Sequence, residues 1–150
     1  MFPSEVEIDD SYEGGSLDHT KWALEYILGT DSIYIGDHQI YDEETLRSIL
    51  DTNCPVIISR GWYENGQRDG GHSTVICGYI YNADADTFMY EIFDPWPVNI
   101  GDVYFRTYAW ICDGSTTETD AGTNDNGIWE SVVLLQSGDY TNTIPWPGVS

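Results

Sequence analysis

The period of the hydrophobic pattern changes at Pro55, and this change constrains the fold more than any other feature of the sequence. Two segments before it, 16–28 and 42–50, carry apolar residues at helical spacing. After it, β-branched and aromatic residues occur in short runs separated by turn residues, as in strands and hairpins. The sequence therefore predicts an α+β fold in which two helices precede an antiparallel sheet.

Capping residues define the two predicted helices. The first should run from Ser16, an N-cap residue, to a stop at Gly29. Asp42 is the predicted N-cap of the second, whose first turn contains two glutamates. The residues expected to face the core are Leu17, Leu24, Ile27 and Leu28 in the first helix and Leu46, Ile49 and Leu50 in the second.

Predicted strands cover 32–35, 56–59, 72–81, 87–93, 103–106 and 128–136, and a tight turn at 82–86 makes a hairpin of the third and fourth. Segments 63–71 and 113–127 are predicted loops because they are polar and rich in turn residues. Residues 1–15 are expected to form a flexible acidic lead-in. Residues 16–150 are expected to form one domain, since 150 residues is an ordinary single-domain length.

The chain is strongly acidic, with 26 Asp and Glu against five Lys and Arg and a formal net charge of -21. Such a surface repels phosphate backbones and anionic lipids, and it favours basic substrates. No segment approaches the roughly 18 apolar residues of a membrane-spanning helix, and the acidic start lacks the features of a signal peptide. Neither nucleic acid nor a membrane is a predicted partner.

Cysteine and histidine spacing gives no sign of a metal centre. The three cysteines, Cys54, Cys77 and Cys112, are widely separated and odd in number, so neither a disulfide framework nor a zinc site is predicted. His19 and His38 also lack the spacing of metal ligands. No metal and no cofactor are predicted.

The sharpest local feature is the run Gly70-Gly71-His72-Ser73, which leads into a predicted strand. The two glycines permit a close backbone approach or positive φ, and a histidine held at a strand entrance suits a general base. A solvated histidine at a capped strand end is the alternative. Ser73 should point to the opposite face, which argues against a Ser–His pair.

Asp94 ends the strand predicted to pair with that of His72, so the two side chains can be neighbours at one end of the sheet. A carboxylate there can hold the tautomer of an imidazole and stabilise its cation. Pro95-Trp96-Pro97 would fix the backbone and cover the pair with an indole. An Asx-turn before proline is the alternative. Together, His72 and Asp94 match half of a nucleophilic triad.

The segment from Thr45 to Trp129 contains the blocks P-V-I-I-S, G-G-H-S-T-V-I-C-G-Y and F-D-P-W-P-V-N-I-G. In order and spacing these resemble the C-terminal part of papain-like cysteine proteases, most closely the C39-like and AvrRpt2-like bacterial members. The resemblance implies a papain-like fold, hydrolysis of a peptide or protein substrate, His72 as general base and Asp94 as the carboxylate that orients it. Because the family is often exported, it also implies an extracellular location.

The family places its nucleophilic cysteine at the start of a helix upstream of the histidine, after a glutamine, and no such block precedes His72. Cys54 precedes a proline and a strand, Cys77 should lie on the face opposite His72 in the core, and Asp113 should raise the pKa of the Cys112 thiol. The chain is therefore expected to hold the base and the orienting group. A missing segment or a partner chain would supply the nucleophile.

Two alternatives remain open at this point. The chain could be a non-catalytic module that binds peptides or glycans on a papain-like fold. It could also be a self-sufficient enzyme that uses Cys112, which follows the histidine as in caspase-like proteases.

Overall fold

The computed structural model describes residues 17–29, 32–114, 127–135 and 142–148. The helices and strands in these ranges are, in chain order, α1 (Leu17–Leu28), β1 (Tyr34–Gly36), β2 (Gln39–Ile40), α2 (Glu43–Leu50), β3 (Val56–Glu64), β4 (Gln67–Asn82), β5 (Thr87–Asp94), β6 (Asp102–Thr107), α3 (Tyr108–Asp113), β7 (Ile128–Leu134) and β8 (Ile144–Pro145). The predicted α+β class and antiparallel sheet are confirmed. The predicted lead-in 1–15 lies outside the described residues.

One six-stranded sheet forms the centre of the fold, in the order β1-β7-β3-β4-β5-β6, and every neighbouring pair is antiparallel. Side chains of one face, here called the front face, form the core with α2 and α3. The fully buried members of that core include Tyr41, Leu46, Ile49, Val56, Ile58, Ile76, Tyr90, Ile92, Ile111, Trp129, Val132 and Leu134. The opposite side of the sheet is called the back face.

The helix predicted at 42–50 is confirmed in both its cap and its buried side. The Asp42 carboxylate accepts a hydrogen bond from the backbone N–H of Thr45 at 2.8 Å, and this bond lowers the pKa of Asp42. Leu46, Ile49 and Leu50 are buried. Spacing of three and four residues puts these side chains on one helix side, which the sheet then covers.

The first helix is present, but its predicted core-facing side is wrong. No residue of α1 is buried, and Ile27 is 68% exposed. Gly29 adopts a φ of 65° and donates its N–H to the carbonyl of Glu25, which confirms the stop. The predicted cap at Ser16 lies outside the described residues. Helical spacing identified a helix here but not what the helix packs against.

The segment 63–71 is not a loop. Asn65 and Gly66, with φ of 53° and 80°, form the tight turn of a hairpin between β3 and β4. Positive φ at two consecutive turn residues is typical of hairpins, and Asn-Gly is its sequence signal. Consequently β4 is 16 residues long, and His72 lies inside it and not at its entrance.

Three short elements were not predicted. Strand β2 pairs with β8, and α3 follows β6 directly. Thr107 caps α3 by accepting a hydrogen bond from the N–H of Trp110, and Gly114 ends it at a φ of 76°. Helix α3 has only six residues, and its aromatic and β-branched side chains are also typical of strands. Its sequence therefore shows no helical period. Within the described ranges, no helix has the length and apolar character needed to cross a membrane.

Candidate active site

The predicted pair of His72 and Asp94 is formed. The Nε2 atom of His72 lies 2.5 Å from Oδ1 of Asp94. Strand β4 carries His72, and β5, which ends at Asp94, is its hydrogen-bonded neighbour through the pair Val75–Phe93. The antiparallel register therefore brings together two residues that are 22 positions apart in the chain.

The carboxylate of Asp94 has two further hydrogen-bond donors. The Tyr104 hydroxyl donates to Oδ2 at 2.7 Å, and the backbone N–H of Trp96 donates to Oδ1 at 2.9 Å. Burial raises the pKa of Asp94, but the hydrogen bonds from Tyr104, His72 and Trp96 outweigh it and lower this pKa below its ordinary value. The group is therefore ionised near neutral pH and acts only as an acceptor.

This arrangement determines the tautomer of His72. An ionised carboxylate can only accept, so the Nε2 atom that faces Asp94 carries the hydrogen. In the neutral ring, Nδ1 then holds a lone pair. The His72 side chain is 26% exposed and that of Asp94 14%, so the base is open to a reactant while its partner is shielded.

The indole beside His72 is not the predicted one. Trp96 is 63% exposed and contributes its backbone N–H to Asp94, so the predicted indole cover is wrong, while the Asx-turn at Asp94 is formed. Trp62 of β3 lies near His72, with ring centroids 6.1 Å apart. Register explains this contact, because Trp62 pairs with Gly70 and Arg60 with His72 across β3 and β4.

Neither Gly70 nor Gly71 adopts a positive φ, so that predicted role is wrong. Their lack of a Cβ atom matters only for the room it leaves to neighbouring atoms. A Cβ atom at Gly71 would collide with the guanidinium of Arg68 and lie 3.0 Å from the carbonyl oxygen of Arg60. At Gly70 the nearest atom would be 3.7 Å away, on the Trp62 ring. The space at Gly71 is thus occupied by Arg68 and the backbone of Arg60, and the predicted close approach to a ligand stays a prediction.

A buried cation, Arg60, lies on the front face beside the pair. Its guanidinium donates to the carbonyls of Ile111 at 2.6 Å, Gly127 at 2.7 Å and Trp110 at 3.1 Å, and it stacks on the Trp110 ring. Burial lowers the pKa of Arg60 to about 10, so it remains charged near neutral pH. The Trp110 ring in turn packs edge-on against Tyr104. No pattern in the sequence indicates these contacts, because the partners of Arg60 come from α3 and from Gly127, both distant from it along the chain.

An apolar groove of about 370 Å³ lies on the back face of the sheet, lined by Ile57, Val75, Phe93 and Pro95 together with Ser73, Thr74 and Asp94. His72 does not line this groove, because its side chain lies on the front face with that of Arg60. The Thr74 hydroxyl is buried and has no hydrogen-bond partner among the described residues.

None of the three cysteines has the environment of an activated thiol. Burial is the main cause that raises the pKa of each, to about 11 for Cys112, where Asp113 raises it further as predicted. Cys54 is buried in the core. Cys77 is half-buried and outside the core cluster, which corrects its predicted core position. A thiol with a raised pKa is a poor nucleophile at neutral pH.

A second polar cluster, unpredicted, lies on the back face. Glu130, 4% exposed, accepts hydrogen bonds from the Tyr63 hydroxyl at 2.6 Å and from Arg68 Nη2 and Nε at 2.5 and 2.9 Å. Burial, and then the bond to Glu130, raises the pKa of Tyr63 to about 12. Since its members come from β3, β4 and β7, this cluster joins the three central strands.

Fold and site together define the class of this chain: an α+β protein whose antiparallel sheet carries a histidine–aspartate pair where β5 ends beside β4. No family model, no curated protein and no solved structure matches the chain.

Proposed function

We propose that this chain is the base-bearing part of a cysteine-type peptidase that hydrolyses peptide or amide bonds. The carrying observation is the 2.5 Å contact between His72 Nε2 and Asp94 Oδ1, supported by the Tyr104 hydroxyl and the Trp96 N–H. A half-buried carboxylate that is hydrogen-bonded on both oxygens and holds one imidazole nitrogen leaves the other nitrogen free to move a proton.

In this proposal His72 Nδ1 takes the proton of an attacking thiol, and the resulting thiolate adds to the carbonyl carbon of the substrate. The imidazolium is stabilised by Asp94 and returns the proton to the leaving amine as the carbon–nitrogen bond breaks. Water then releases the acyl group from sulfur with the same imidazole as base. The nucleophile and the oxyanion donors come from a preceding segment or another chain, because burial raises the pKa of all three thiols and no glutamine–cysteine block precedes His72.

The charge of the chain supports a basic peptide as the substrate. The net charge of -21 attracts cationic substrates over long range. An extracellular location is proposed only from the family resemblance.

The tautomer of His72 tests the role of the base. Two-bond ¹H–¹⁵N correlation spectra of the neutral ring should show hydrogen on Nε2 and a lone pair on Nδ1. Replacing Asp94→Asn should reduce this preference, whereas Asp69→Asn at an exposed position of β4 should leave it unchanged. A ring with hydrogen on Nδ1 in the parent protein would contradict the proposed base.

Thiol labelling tests the source of the nucleophile. The native chain, treated with a peptide-based thiol electrophile, should react no faster at Cys54, Cys77 or Cys112 than denatured protein does. Fast native labelling of Cys112 that His72→Ala abolishes would instead favour the self-sufficient enzyme. If the electrophile leaves all three cysteines unmodified, mixtures with candidate nucleophile-bearing chains should be assayed for peptide hydrolysis.

A further inference from the structure

The outer edge of β6 is an unprotected sheet edge. Strand β6 pairs with β5 on one side and is the last strand in the sheet order, so its other side has no strand partner within the described ranges. Val103 is 55% and Phe105 37% exposed on the back face of this strand. Exposed edges are usually blunted by proline, a bulge or charged side chains; β6 has no proline and no bulge, and its two charged residues, Asp102 and Arg106, are of opposite sign.

Two hydrogen bonds show which backbone groups point outward. The N–H of Val103 donates to the Asp102 carboxylate at 2.9 Å, and the carbonyl of Phe105 accepts from the Arg106 guanidinium at 2.9 Å. Because both bonds go to side chains and not to β5, Val103 and Phe105 are the residues whose backbone faces away from the sheet. Alternate residues of a strand share this direction, so Asp102, Tyr104 and Arg106 face β5.

We propose that β6 pairs antiparallel with β6 of a second copy of this chain, with Tyr104 opposite Tyr104 at the two-fold axis. In this register Val103 lies opposite Phe105 of the other copy, and their outward N–H and C=O groups exchange the local bonds to the Asp102 and Arg106 side chains for ladder hydrogen bonds. Asp102 then lies opposite Arg106 twice. A sheet continuous across both copies results, and its formation does not require the proposed peptidase activity.

The charges of β6 favour this register over its neighbours. Sliding by two residues in either direction places Asp102 or Arg106 opposite Tyr104 and forms no ion pair, whereas opposite charges directly across strands stabilise a pair. Arg106 is one of only five basic residues in the chain. Its guanidinium lies 4.4 Å from the centroid of the Tyr104 ring, and Tyr104 is the residue at the proposed two-fold axis.

The overall negative charge opposes association, so the dimer should be weak. Two copies with a net charge of -21 repel each other at low ionic strength, and salt screens this repulsion. A single pair of edge strands buries a small area, which is typical of weak complexes. We expect a reversible dimer with a dissociation constant of about 100 µM in about 0.15 M salt.

Sedimentation velocity between about 5 µM and 500 µM tests the dimer with three matched variants. Arg106→Asp places like charges opposite each other and should weaken association at least about tenfold, which corresponds to 1.4 kcal/mol. The double change Asp102→Arg with Arg106→Asp should restore association. Lys21→Asp alters the net charge as much as Arg106→Asp does, but on α1, and should weaken association less than about threefold.

Amide hydrogen exchange gives a residue-level measurement that does not depend on any variant. With rising concentration, exchange should slow at Val103 and Phe105, whose N–H groups join the new ladder, and stay constant at Tyr104, which already faces β5. A chain that is monomeric throughout the concentration range overturns the proposal. So does a dimer that forms equally well with Arg106→Asp, or one that leaves exchange at both outward amides unchanged.

Discussion

The carboxylate of Asp94 organises the candidate site at the scale of single residues. Its two oxygens accept from His72, Tyr104 and the Trp96 N–H, so that three strand or loop positions depend on one side chain. Hydrogen bonds to a charged acceptor are stronger than neutral ones and hold their donors in place. The orientation of the imidazole therefore depends on Tyr104 as well as on Asp94.

Replacing Tyr104→Phe should raise the pKa of Asp94, because the lost hydroxyl is a donor that favours the ionised carboxylate. A ¹³C titration of the carboxyl group measures this midpoint. Tyr79→Phe is the matched control, since its hydroxyl donates to Asp51 at 2.7 Å on another part of the molecule. An Asp94 midpoint unmoved by Tyr104→Phe would show that the hydroxyl does not position this carboxylate.

Asp94→Asn should destabilise the protein in a pH-dependent way. The pKa of Asp94 is lowered from its ordinary value of 3.8, so folding favours the ionised form. The stabilisation is complete above pH 3.8 and is lost as the pH falls through the folded-state pKa. Urea unfolding should show a loss of about 2 kcal/mol at neutral pH that shrinks below that value. An equal loss at acidic and neutral pH would contradict this account.

At the scale of elements, the hairpin of β3 and β4 places the site. Its turn at Asn65 and Gly66 sets the pairs Glu64–Gln67 and Tyr63–Arg68, and a register shift between Tyr63 and Trp62 then gives the pairs Trp62–Gly70 and Arg60–His72. A shift of one residue turns a side chain to the other face of a strand. The turn and this irregularity together therefore determine which face of the sheet carries the base.

Gly66→Ala should lower the free energy of unfolding by about 1 kcal/mol, because a φ of 80° strains any residue with a Cβ. No atom lies within 4 Å of that Cβ, so the cost is conformational. Gly70→Ala is the control in the same hairpin, with no positive φ and a nearest contact of 3.7 Å. Chemical denaturation should separate the two variants. Equal effects would mean that the turn conformation does not limit the hairpin.

At the scale of the whole molecule, Arg60 joins segments that are distant in sequence. From β3 its guanidinium reaches the last turn of α3 and the carbonyl of Gly127, which precedes β7. A cation there also opposes the negative end of the helix dipole. Arg60 thereby fixes Trp110 and, through the ring contact, Tyr104 behind the candidate site.

Arg60→Leu should destabilise the fold by about 3 kcal/mol or more, since three carbonyls lose their common donor. Thermal unfolding measures the loss, and the Trp110 indole resonance reports whether α3 has moved. Arg60→Lys keeps the charge but not the planar fork, so it should be intermediate. A leucine variant as stable as the parent would show that the buried cation contributes specificity of packing and not stability.

Local signals in the sequence were sufficient for the class of fold and for two residues of the site. Alternation and turn residues predicted the antiparallel strands, Asp42 predicted the start of α2, and chain order predicted that Asp94 lies beside His72. These features depend on neighbours a few residues away or on one hairpin. The sequence determines them because hydrophobic period, capping and short turns act locally.

Only the tertiary structure decided the surroundings of that pair. Tyr104 reaches the site from β6 and Trp62 and Arg60 reach it from β3, and α1 buries none of the side chains that its pattern predicted to face the core. Such contacts depend on sheet order and register, which arise when distant segments pack against a common core. The hydrophobic period of a helix shows which residues share one side of it. The packing of the other elements determines whether that side is covered.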